Sequence, residues 1–443
     1  MSSHSLKYLL TISFTLSLFF GGCASSNIND DTPKNPIIKT YPNENLDVMT
    51  ALEYESYNTI DGYRKATKVY QRLENKTDNY EYMQKAISFS LHTKDISNAQ
   101  NLTNKAESKY PIHQRNLFKL QSYIYLKQSK IDKALEVSLK AIEKYPDDAE
   151  FYDIAGSLYF QKKEYEKAKN YYESSYIKQK SIDSLLNLSN VLYTYLGKKI
   201  DAISYLETHS RLYEYNPKIY AKLINIYSEQ KDYQALANTY DRMYQHTHKE
   251  YYALKVVEIY IQTNKKDDAI KYLQKNDINN ELLLDLYKEK QDYKSAVKLA
   301  RKLYKKDKSI DLLAQIAMME YEVYITPHKI KSKKLNKKTK NKLRNIVANM
   351  KYVVSQKETP VYLNYLGYVL IDNNMGIRKG ISYIKKSLKD DANNPYYMDS
   401  LAWGYYKLGA CQSASNLMKK VVKKIGKEND EVKYHLQQIE SCR

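Results

Sequence analysis

Hydrophobic residues recur at helical spacing from Leu46 to the end of the chain, and small residues mark a second, longer period. Alanine stands at Ala134, Ala168 and Ala202, each 34 residues after the one before. The same position can be followed as Ala66, Ala99, Ala134, Ala168, Ala202, Leu236, Ala269, Ala296, Gly380 and Ala414. A period near 34 is typical of stacked helix–turn–helix units, none of which buries its apolar face alone. The pattern predicts an all-α chain of about nine or ten units.

The period is interrupted twice in the second half of the chain. The step from Ala269 to Ala296 is 27 residues, which predicts a shortened helix or loop. The step from Ala296 to Gly380 is 84 residues, long enough for two units and some additional residues. We expect the additional residues to form an insertion between repeats, at 326–345.

The residues within each unit follow a recognisable order. One unit carries Phe118, Ser122, Tyr125, Ala134, Ala141 and Pro146, and the next repeats the order as Tyr152, Ala155, Gly156, Tyr159, Ala168 and Tyr172. This order resembles the tetratricopeptide repeat (TPR). Helix backbones approach closely at the small residues, and the large residues fill the spaces between them. The resemblance implies a TPR-type superhelical solenoid, and such arrays bind other proteins far more often than they catalyse reactions.

Two C-terminal segments carry a narrower resemblance. Residues 365–372 read Tyr-Leu-Gly-Tyr-Val-Leu-Ile-Asp, and residues 398–409 read Met-Asp-Ser-Leu-Ala-Trp-Gly-Tyr-Tyr-Lys-Leu-Gly. They resemble the closing repeats of a group of bacterial TPR lipoproteins. The resemblance implies a non-enzymatic scaffold that holds or recruits proteins at the outer membrane, facing the periplasm. That group includes adaptors for a carboxyl-terminal processing protease, so presenting substrates to such a protease is the alternative function.

The N-terminus has the features of an export signal. Residues 1–22 combine a basic start with an apolar run too short for a permanent membrane span. Small residues directly before Cys23 resemble the lipobox of bacterial lipoproteins, although Phe20 replaces the usual aliphatic residue. The resemblance implies lipidation (palmitate) of Cys23, and Ala24 and Ser25 after it favour the outer membrane. The alternative is ordinary cleavage that releases a soluble periplasmic protein.

The chain is strongly basic, with 71 Lys and Arg against 51 Asp and Glu. Such a balance suggests nucleic acid or an anionic membrane, but an exported chain is not expected to bind nucleic acid. The densest basic run contains Lys329, Lys331, Lys333, Lys334, Lys337, Lys338, Lys340, Lys342 and Arg344. It has two interpretations: contact with anionic lipids or lipopolysaccharide phosphates, or a solvated, mobile insertion.

The sequence offers no positive sign of catalysis. The 8 histidines are scattered, and none belongs to a zinc-type pair or lies beside a cysteine cluster. Phosphate-binding loops and nucleophile elbows are also missing from the sequence. With 47 Tyr, 7 Phe and 1 Trp, tyrosine is best interpreted as the usual large core residue. We therefore expect a protein that is not an enzyme and has no metal or cofactor.

Two cysteines remain once Cys23 is lipidated. Cys411 is near the start of the second helix of the last repeat, and Cys442 is at the end of the following helix. Consecutive helices in such a stack are antiparallel, so the two ends meet. In an oxidising periplasm this predicts a Cys411–Cys442 disulfide, and the alternative is two separate thiols.

The first helix of each TPR unit lines a concave groove. By that resemblance the groove candidates are Asn116, Lys119, Tyr123, Asn187, Tyr396, Asp399, Trp403 and Tyr406. Aromatic residues with a polar group suit peptide capture. Trp403 also has a structural interpretation, packing against the terminal helix, and Asp399 could simply favour a helix N-terminus.

The predicted organisation is a signal peptide (1–22), a lipidated cysteine and flexible tether (23–45), a TPR array (46–325), a basic insertion (326–345), and C-terminal repeats with a capping helix (346–443). The predicted function is a scaffold for protein–protein interaction in envelope or surface-machine assembly. Its expected partners are periplasmic or outer-membrane proteins or peptides. Binding of anionic envelope lipids through the basic insertion is a further alternative.

Overall fold

The computed structural model describes residues 36–327 and 335–442. The predictions for residues 1–22, for Cys23 and for Lys329, Lys331, Lys333 and Lys334 lie outside these residues. Across the described ranges the regular structure is helical, with no β-strand. The all-α prediction is confirmed. None of the helices described is long and apolar enough to cross a bilayer.

The α-helices described are numbered here in chain order. They are α1 (Glu44–Ser56), α2 (Ile60–Thr77), α3 (Tyr80–His92), α4 (Ile96–Lys109), α5 (Gln114–Lys127), α6 (Ile131–Lys144), α7 (Ala149–Gln161), α8 (Tyr165–Gln179), α9 (Ile182–Asn190), α10 (Lys199–Leu212), α11 (Pro217–Gln230), α12 (Tyr233–Thr247), α13 (Glu250–Gln262), α14 (Lys266–Asn276), α15 (Asn280–Glu289), α16 (Tyr293–Lys306), α17 (Ile310–Tyr324), α18 (Lys337–Gln356), α19 (Pro360–Asp372), α20 (Ile377–Asp390), α21 (Pro395–Lys407), α22 (Cys411–Ile425) and α23 (Asp430–Glu440). The chain divides into two compact units within α11, where unit 1 ends at Ile226 and unit 2 begins at Tyr227.

Consecutive helices form pairs whose members pack along each other. Unit 1 contains the pairs α1/α2, α3/α4, α5/α6, α7/α8 and α9/α10, and unit 2 contains α13/α14, α15/α16, α17/α18, α19/α20 and α21/α22. Most links within a pair are only a few residues long, so the two helices run antiparallel. These ten pairs, together with α11 and α12 at the division between the units, are close to the predicted nine or ten repeats.

The small-residue position is where the helices of a pair come closest. From Ala99 to Ala414, each predicted small-residue position is the fourth residue of the second helix of its pair. Ala66, Ala99, Ala134, Ala168, Ala202, Ala269, Ala296 and Ala414 are all 0% exposed. At Gly380 even a methyl group would not fit, because a Cβ there would lie 2.6 Å from the Gly367 carbonyl oxygen. The 34-residue period is therefore a requirement of backbone packing.

The links within pairs share one turn conformation. In nine of the ten pairs, a described link residue has positive φ: Asn58, Lys94, Ser129, Lys163, Gly197, Asn264, Gln291, Asn374 and Gly409. In α7/α8 the Lys163 amide donates to the Phe160 carbonyl (2.9 Å) and the Glu164 amide to the Tyr159 carbonyl (3.0 Å). This is the Schellman pattern, which satisfies the last carbonyls of the first helix. Only two of these nine positions are glycine, so the helix pair imposes the conformation.

The two interruptions of the period have different structural causes. The short step corresponds to short helices, α14 with 11 residues and α15 with 10. The long step corresponds to α17/α18, in which α18 has 20 residues. The predicted boundary of the insertion at 345 is wrong, because α18 already begins at Lys337. Its lysines alternate with buried residues at helical spacing, including Thr339 and Leu343, so this stretch is an amphipathic helix.

The end of the predicted tether is also attached to the folded body. The Lys39 amide donates to the Thr77 carbonyl (2.7 Å), and Lys39 Nζ lies 2.6 Å from an Asp78 oxygen. Tyr41 donates to Asp47 (3.1 Å) and packs on the core of unit 1. The prediction of a free tether to residue 45 is therefore wrong for residues 39–45. The hydrogen bonds, the ion pair and the packing of the Tyr41 ring together attach this segment to unit 1.

In unit 2 the first and second helices of the pairs form separate layers. The first helix α19 packs against α21, and α21 packs against α23. Each second helix packs against the first helix of its own pair and that of the next pair, as α18 does against α17 and α19. The second helices α16, α18, α20 and α22 consequently turn their remaining side outward.

Candidate functional site

A groove of about 630 Å³ lies between the first helices α15 and α17 of unit 2. α15 contributes Asn280, Glu281 and Asp285 to its walls, and α17 contributes Asp311, Leu312 and Gln315. Leu284 and Leu303 add apolar surface to the groove, and Lys306 adds one cation. Its volume is in the range of ligand pockets, and it combines leucines with amides and carboxylates.

Local capping positions the helices that form the groove. The Asn279 side chain accepts from the Leu282 amide (3.0 Å) at the start of α15, and Ser309 accepts from the Leu312 amide (3.4 Å) at the start of α17. Asparagine and serine are preferred at helix N-caps because they satisfy amides that the helix leaves free. Both first helices therefore begin at the groove.

Some carboxylates of the groove are engaged and others are not. Asp311 accepts from Lys357 Nζ (2.7 Å) and the Tyr362 hydroxyl (2.6 Å), and these hydrogen bonds, that from Lys357 first, lower the pKa of Asp311. Asp285 pairs with Lys288 (2.6 Å). Glu281 and Asp307 are exposed and have no ion pair among the residues described. The groove can therefore offer two carboxylates to a cationic or amide-bearing ligand.

The groove candidates predicted in unit 1 contribute mostly to packing between repeats. Lys119 pairs with Glu150, and its Nζ lies 3.7 Å from an Asp148 oxygen and 5.5 Å from the Phe151 ring centroid. Tyr123 is half-buried against the core of unit 1. The other two candidates, Asn116 and Asn187, are exposed. As groove residues all four remain predictions.

The prediction is wrong for Asp399 and Trp403, because α23 covers both. Trp403 is 3% exposed and stacks on His435 with ring centroids 4.2 Å apart. Asp399 is 6% exposed, and one of its oxygens lies 2.9 Å from His435 Nδ1. Tyr406 is half-buried on the Trp403 ring, while Tyr396 is 59% exposed. The structural interpretation of Trp403, packing against the terminal helix, is confirmed.

A buried polar network that the sequence did not reveal continues from Trp403. Its indole nitrogen donates to Asp372 (3.2 Å), which also accepts from the Tyr321 hydroxyl (2.9 Å). Burial raises the pKa of Tyr368 far above its usual value and lowers the pKa of Lys407. Trp403, Tyr321 and His435 are buried, with His435 only 1% exposed, so the network can stabilise the C-terminus. The only sequence signal is that Asp372 ends an apolar helix.

The described members of the basic run lie on α18. Lys337, Lys338, Lys340 and Arg344 are exposed, and Lys342 Nζ lies 4.9 Å from the Tyr324 ring centroid. They therefore belong to the outward side of a second helix.

The structure joins Cys411 and Cys442 through a disulfide bond, with Cα atoms 5.6 Å apart. The bond links the first residue of α22 to the second residue after α23. It thereby holds the terminal helix over Trp403. In the described part of the chain, no group of three His, Cys, Asp or Glu side chains could hold a metal ion.

Solved structures resemble this chain in fold, whereas no protein-family model and no curated protein match its sequence. The chain is similar to the APC/C hetero-tetramer Cut9–Hcn1, at 10% identity over 90% of this chain and 96% of that chain, with a TM-score of 0.36. It is similar to Pseudomonas aeruginosa pilF, at 15% identity over 46% of this chain and 90% of that chain, with a TM-score of 0.34. A third similar structure is a thermophilic TPR protein of Thermus thermophilus, at 14% identity over 43% of this chain and 99% of that chain, with a TM-score of 0.33. At these identities no partner or activity carries over. The ten helix pairs and their buried small residues are themselves those of a TPR-type array.

Proposed function

We propose that the chain is a protein-binding scaffold and that the α15/α17 groove of unit 2 binds an extended segment of a partner protein. The observation that supports this most directly is the groove itself. It lies between the first helices of two successive pairs and is lined by leucine, amide and carboxylate side chains. First-helix surfaces of this kind suit peptide recognition, because helices hold the contacting groups rigidly.

The chemistry of the groove favours a polar segment that carries lysine or arginine. Glu281 and Asp307 provide two negative charges against the single cation Lys306, and Asn280 and Gln315 can pair with peptide groups. Leu284 and Leu312 add apolar contact beside them. A partner with an acidic segment would be repelled.

We further propose that the scaffold is exported and lipid-anchored at Cys23 to the outer membrane, facing the periplasm. The basic and apolar start of the chain and the small residues before Cys23 support this. A Cys411–Cys442 disulfide is compatible with an oxidising compartment. Loss of lipid labelling in Cys23→Ala, measured in intact cells, tests the anchor separately from the groove.

Site-specific photo-cross-linking in intact cells tests the groove. A photoreactive residue replaces Gln315 in the groove or, as a matched control, the exposed Asn416 on α22. We expect a defined cross-linked protein from position 315 only. Adding Glu281→Lys and Asp307→Lys should abolish that product, because the groove then repels a basic segment. Equal products from both positions, or a product that survives the charge reversal, would contradict the proposal.

A further inference from the structure

Charge in the last four helix pairs is separated between the two layers of unit 2. The second helices carry six basic residues on α16, six on α18, five on α20 and four on α22, against a single acid, Asp390. The first helices α15, α17, α19 and α21 together carry two basic and eight acidic residues. We call the exposed side of α16, α18, α20 and α22, which carries these cations, the basic face; one of them, Lys306, also borders the α15/α17 groove.

This separation is not a general property of the repeats. The seven earlier second helices, from α2 to α14, together carry 19 basic and 13 acidic residues. Repeat packing therefore does not require lysine at these positions. The excess positive charge of the basic face must therefore have a cause that is specific to these four helices.

The cations of the basic face are available to a partner. All 21 belong to exposed residues except Lys342, which is half-buried. Within the described residues three of them form ion pairs: Arg301 with Glu320, Lys302 with Asp277 and Lys386 with Glu358. The others form no ion pair among the described residues and raise the positive potential of the face, against the single acid Asp390.

Helix stability explains only part of the charge, because five of the 21 cations lie in last turns. Cations stabilise a helix near its C-terminus, where the helix dipole is negative. Lys337 and Lys338 instead begin α18, and Arg378 and Lys379 follow the first residue of α20. Neither helix has an acid in its first turn. Their own helices would be more stable without these four charges, so an anionic partner is the simpler explanation.

We propose that the basic face adsorbs to the anionic surface of a lipid bilayer through head-group phosphates. Of its cations 18 are lysine and three are arginine. Lysines spread over four neighbouring helices suit the diffuse field of an anionic leaflet, which attracts each cation by about 1 kcal/mol. α20 has a shallow surface depression with a volume of about 390 Å³, which is open to solvent. The face therefore matches an extended surface better than a small ligand.

A nucleic acid is a weaker match to this face. Recognition of phosphates and bases favours the forked arginine side chain and stacking aromatic rings. On the described residues of these four helices, Tyr352 is the only aromatic residue with an exposed side chain, so there are few rings for bases to stack on.

The adsorption does not depend on the α15/α17 groove, so either proposal can fail alone.

Co-sedimentation of the full chain with vesicles tests the adsorption. Phosphatidylcholine vesicles, with or without phosphatidylglycerol, provide the anionic and neutral surfaces, and Cys23→Ala is present in every arm so that a lipid anchor cannot contribute. The test variant combines Lys298→Gln, Lys340→Gln, Lys389→Gln and Lys420→Gln, one substitution on each helix of the basic face. The control variant combines Lys68→Gln, Lys76→Gln, Lys130→Gln and Lys133→Gln, four exposed lysines of unit 1.

Both variants lose the same net charge, so only the position of the charge differs. We expect the parent and the control to bind anionic vesicles, with binding falling as salt rises, and to bind neutral vesicles weakly. The test variant should lose affinity about fivefold for each lysine that reaches the surface, which is about six hundredfold if all four do. Unchanged thermal unfolding will show that both variants are folded.

Several outcomes would overturn the proposal. These are equal losses in the two variants, binding that does not depend on salt or on phosphatidylglycerol, or no binding of the parent chain. Binding of the parent to DNA or to an acidic protein with none to anionic vesicles would also overturn it. Such a result would identify DNA or an acidic protein, whichever binds, as the partner of the basic face.

Discussion

Gly367 on α19 and Gly380 on α20 face each other so closely that neither position has room for a side chain. A Cβ on Gly380 would lie 2.6 Å from the Gly367 carbonyl oxygen, and one on Gly367 would lie 2.7 Å from the Gly380 carbonyl oxygen. Both neighbours are backbone atoms, which cannot rotate away as a flexible side chain can.

Gly380→Ala should therefore destabilise unit 2. Alanine favours the helix by itself, but the added methyl group forces α19 and α20 apart, at a cost of about 1 to 3 kcal/mol. Chemical denaturation followed by circular dichroism measures the change. Ser382→Ala, at an exposed position of the same helix, should be neutral or slightly stabilising. A Gly380→Ala protein as stable as the parent would show that the backbones are not in contact.

Removing the disulfide should loosen the terminal helix. The bond closes a sequence separation of 31 residues, and the chain-entropy relation assigns such a loop about 3.5 kcal/mol. Cys411→Ser with Cys442→Ser should make α23 the first segment to open and increase proteolysis after Ile425. The parent protein with reductant should behave in the same way. Identical proteolysis with and without the bond would contradict this.

His435→Ala should destabilise the same region through Asp399. The second oxygen of Asp399 has no hydrogen bond among the described residues, so losing His435 would leave a buried carboxylate with no partner. We expect a cost of about 3 kcal/mol. Trp403, the only tryptophan of the chain, stacks on His435, so its fluorescence reports this opening directly. Lys433→Ala, an exposed neighbour on α23, should leave the fluorescence and the stability unchanged.

Asp153 in unit 1 should make stability depend on pH in an unusual direction. Burial, outweighing the hydrogen bond from Ser184 (2.7 Å), raises the pKa of Asp153 to about 6. Because the unfolded carboxyl titrates near pH 4, the folded chain holds an extra proton between about pH 4 and 6. The contribution of this group to stability therefore falls as pH rises through that window.

Asp153→Asn should remove this dependence and raise the free energy of unfolding by about 3 kcal/mol above pH 7. Near pH 4 the variant and the parent should be equally stable. Thermal unfolding across the pH range measures both effects. A constant difference at every pH would show that the carboxyl is not protonated in the folded chain.

The repeat architecture could be predicted because it depends on few residues. Each second helix needs one small residue at a fixed place, and the positions from Ala66 to Ala414 supply it where the backbones meet. The Cys411–Cys442 pairing followed from the same antiparallel geometry. The exact end of the basic insertion could not be predicted in this way. A lysine-rich stretch looks polar throughout unless Thr339 and Leu343 are recognised as the buried side of a helix.

The candidate site was harder to predict because it depends on which surfaces remain uncovered. Trp403 and Asp399 occupy groove positions in the repeat pattern, but α23 covers them. The α15/α17 groove appears where two short helices disturb the spacing of the repeats. The residue pattern records the period of an array, but not which of its faces the next segment of chain will cover.

The separated charge of the two layers in unit 2 gives this part of the molecule an electric dipole moment. One layer holds 21 basic residues and one acid in its last four helices, and the other holds eight acids and two basic residues. In the field of any charged surface such a body experiences a torque before it makes contact. Its approach is therefore oriented, so a surface that attracts one layer turns the opposite layer, with its groove, toward the surrounding solution.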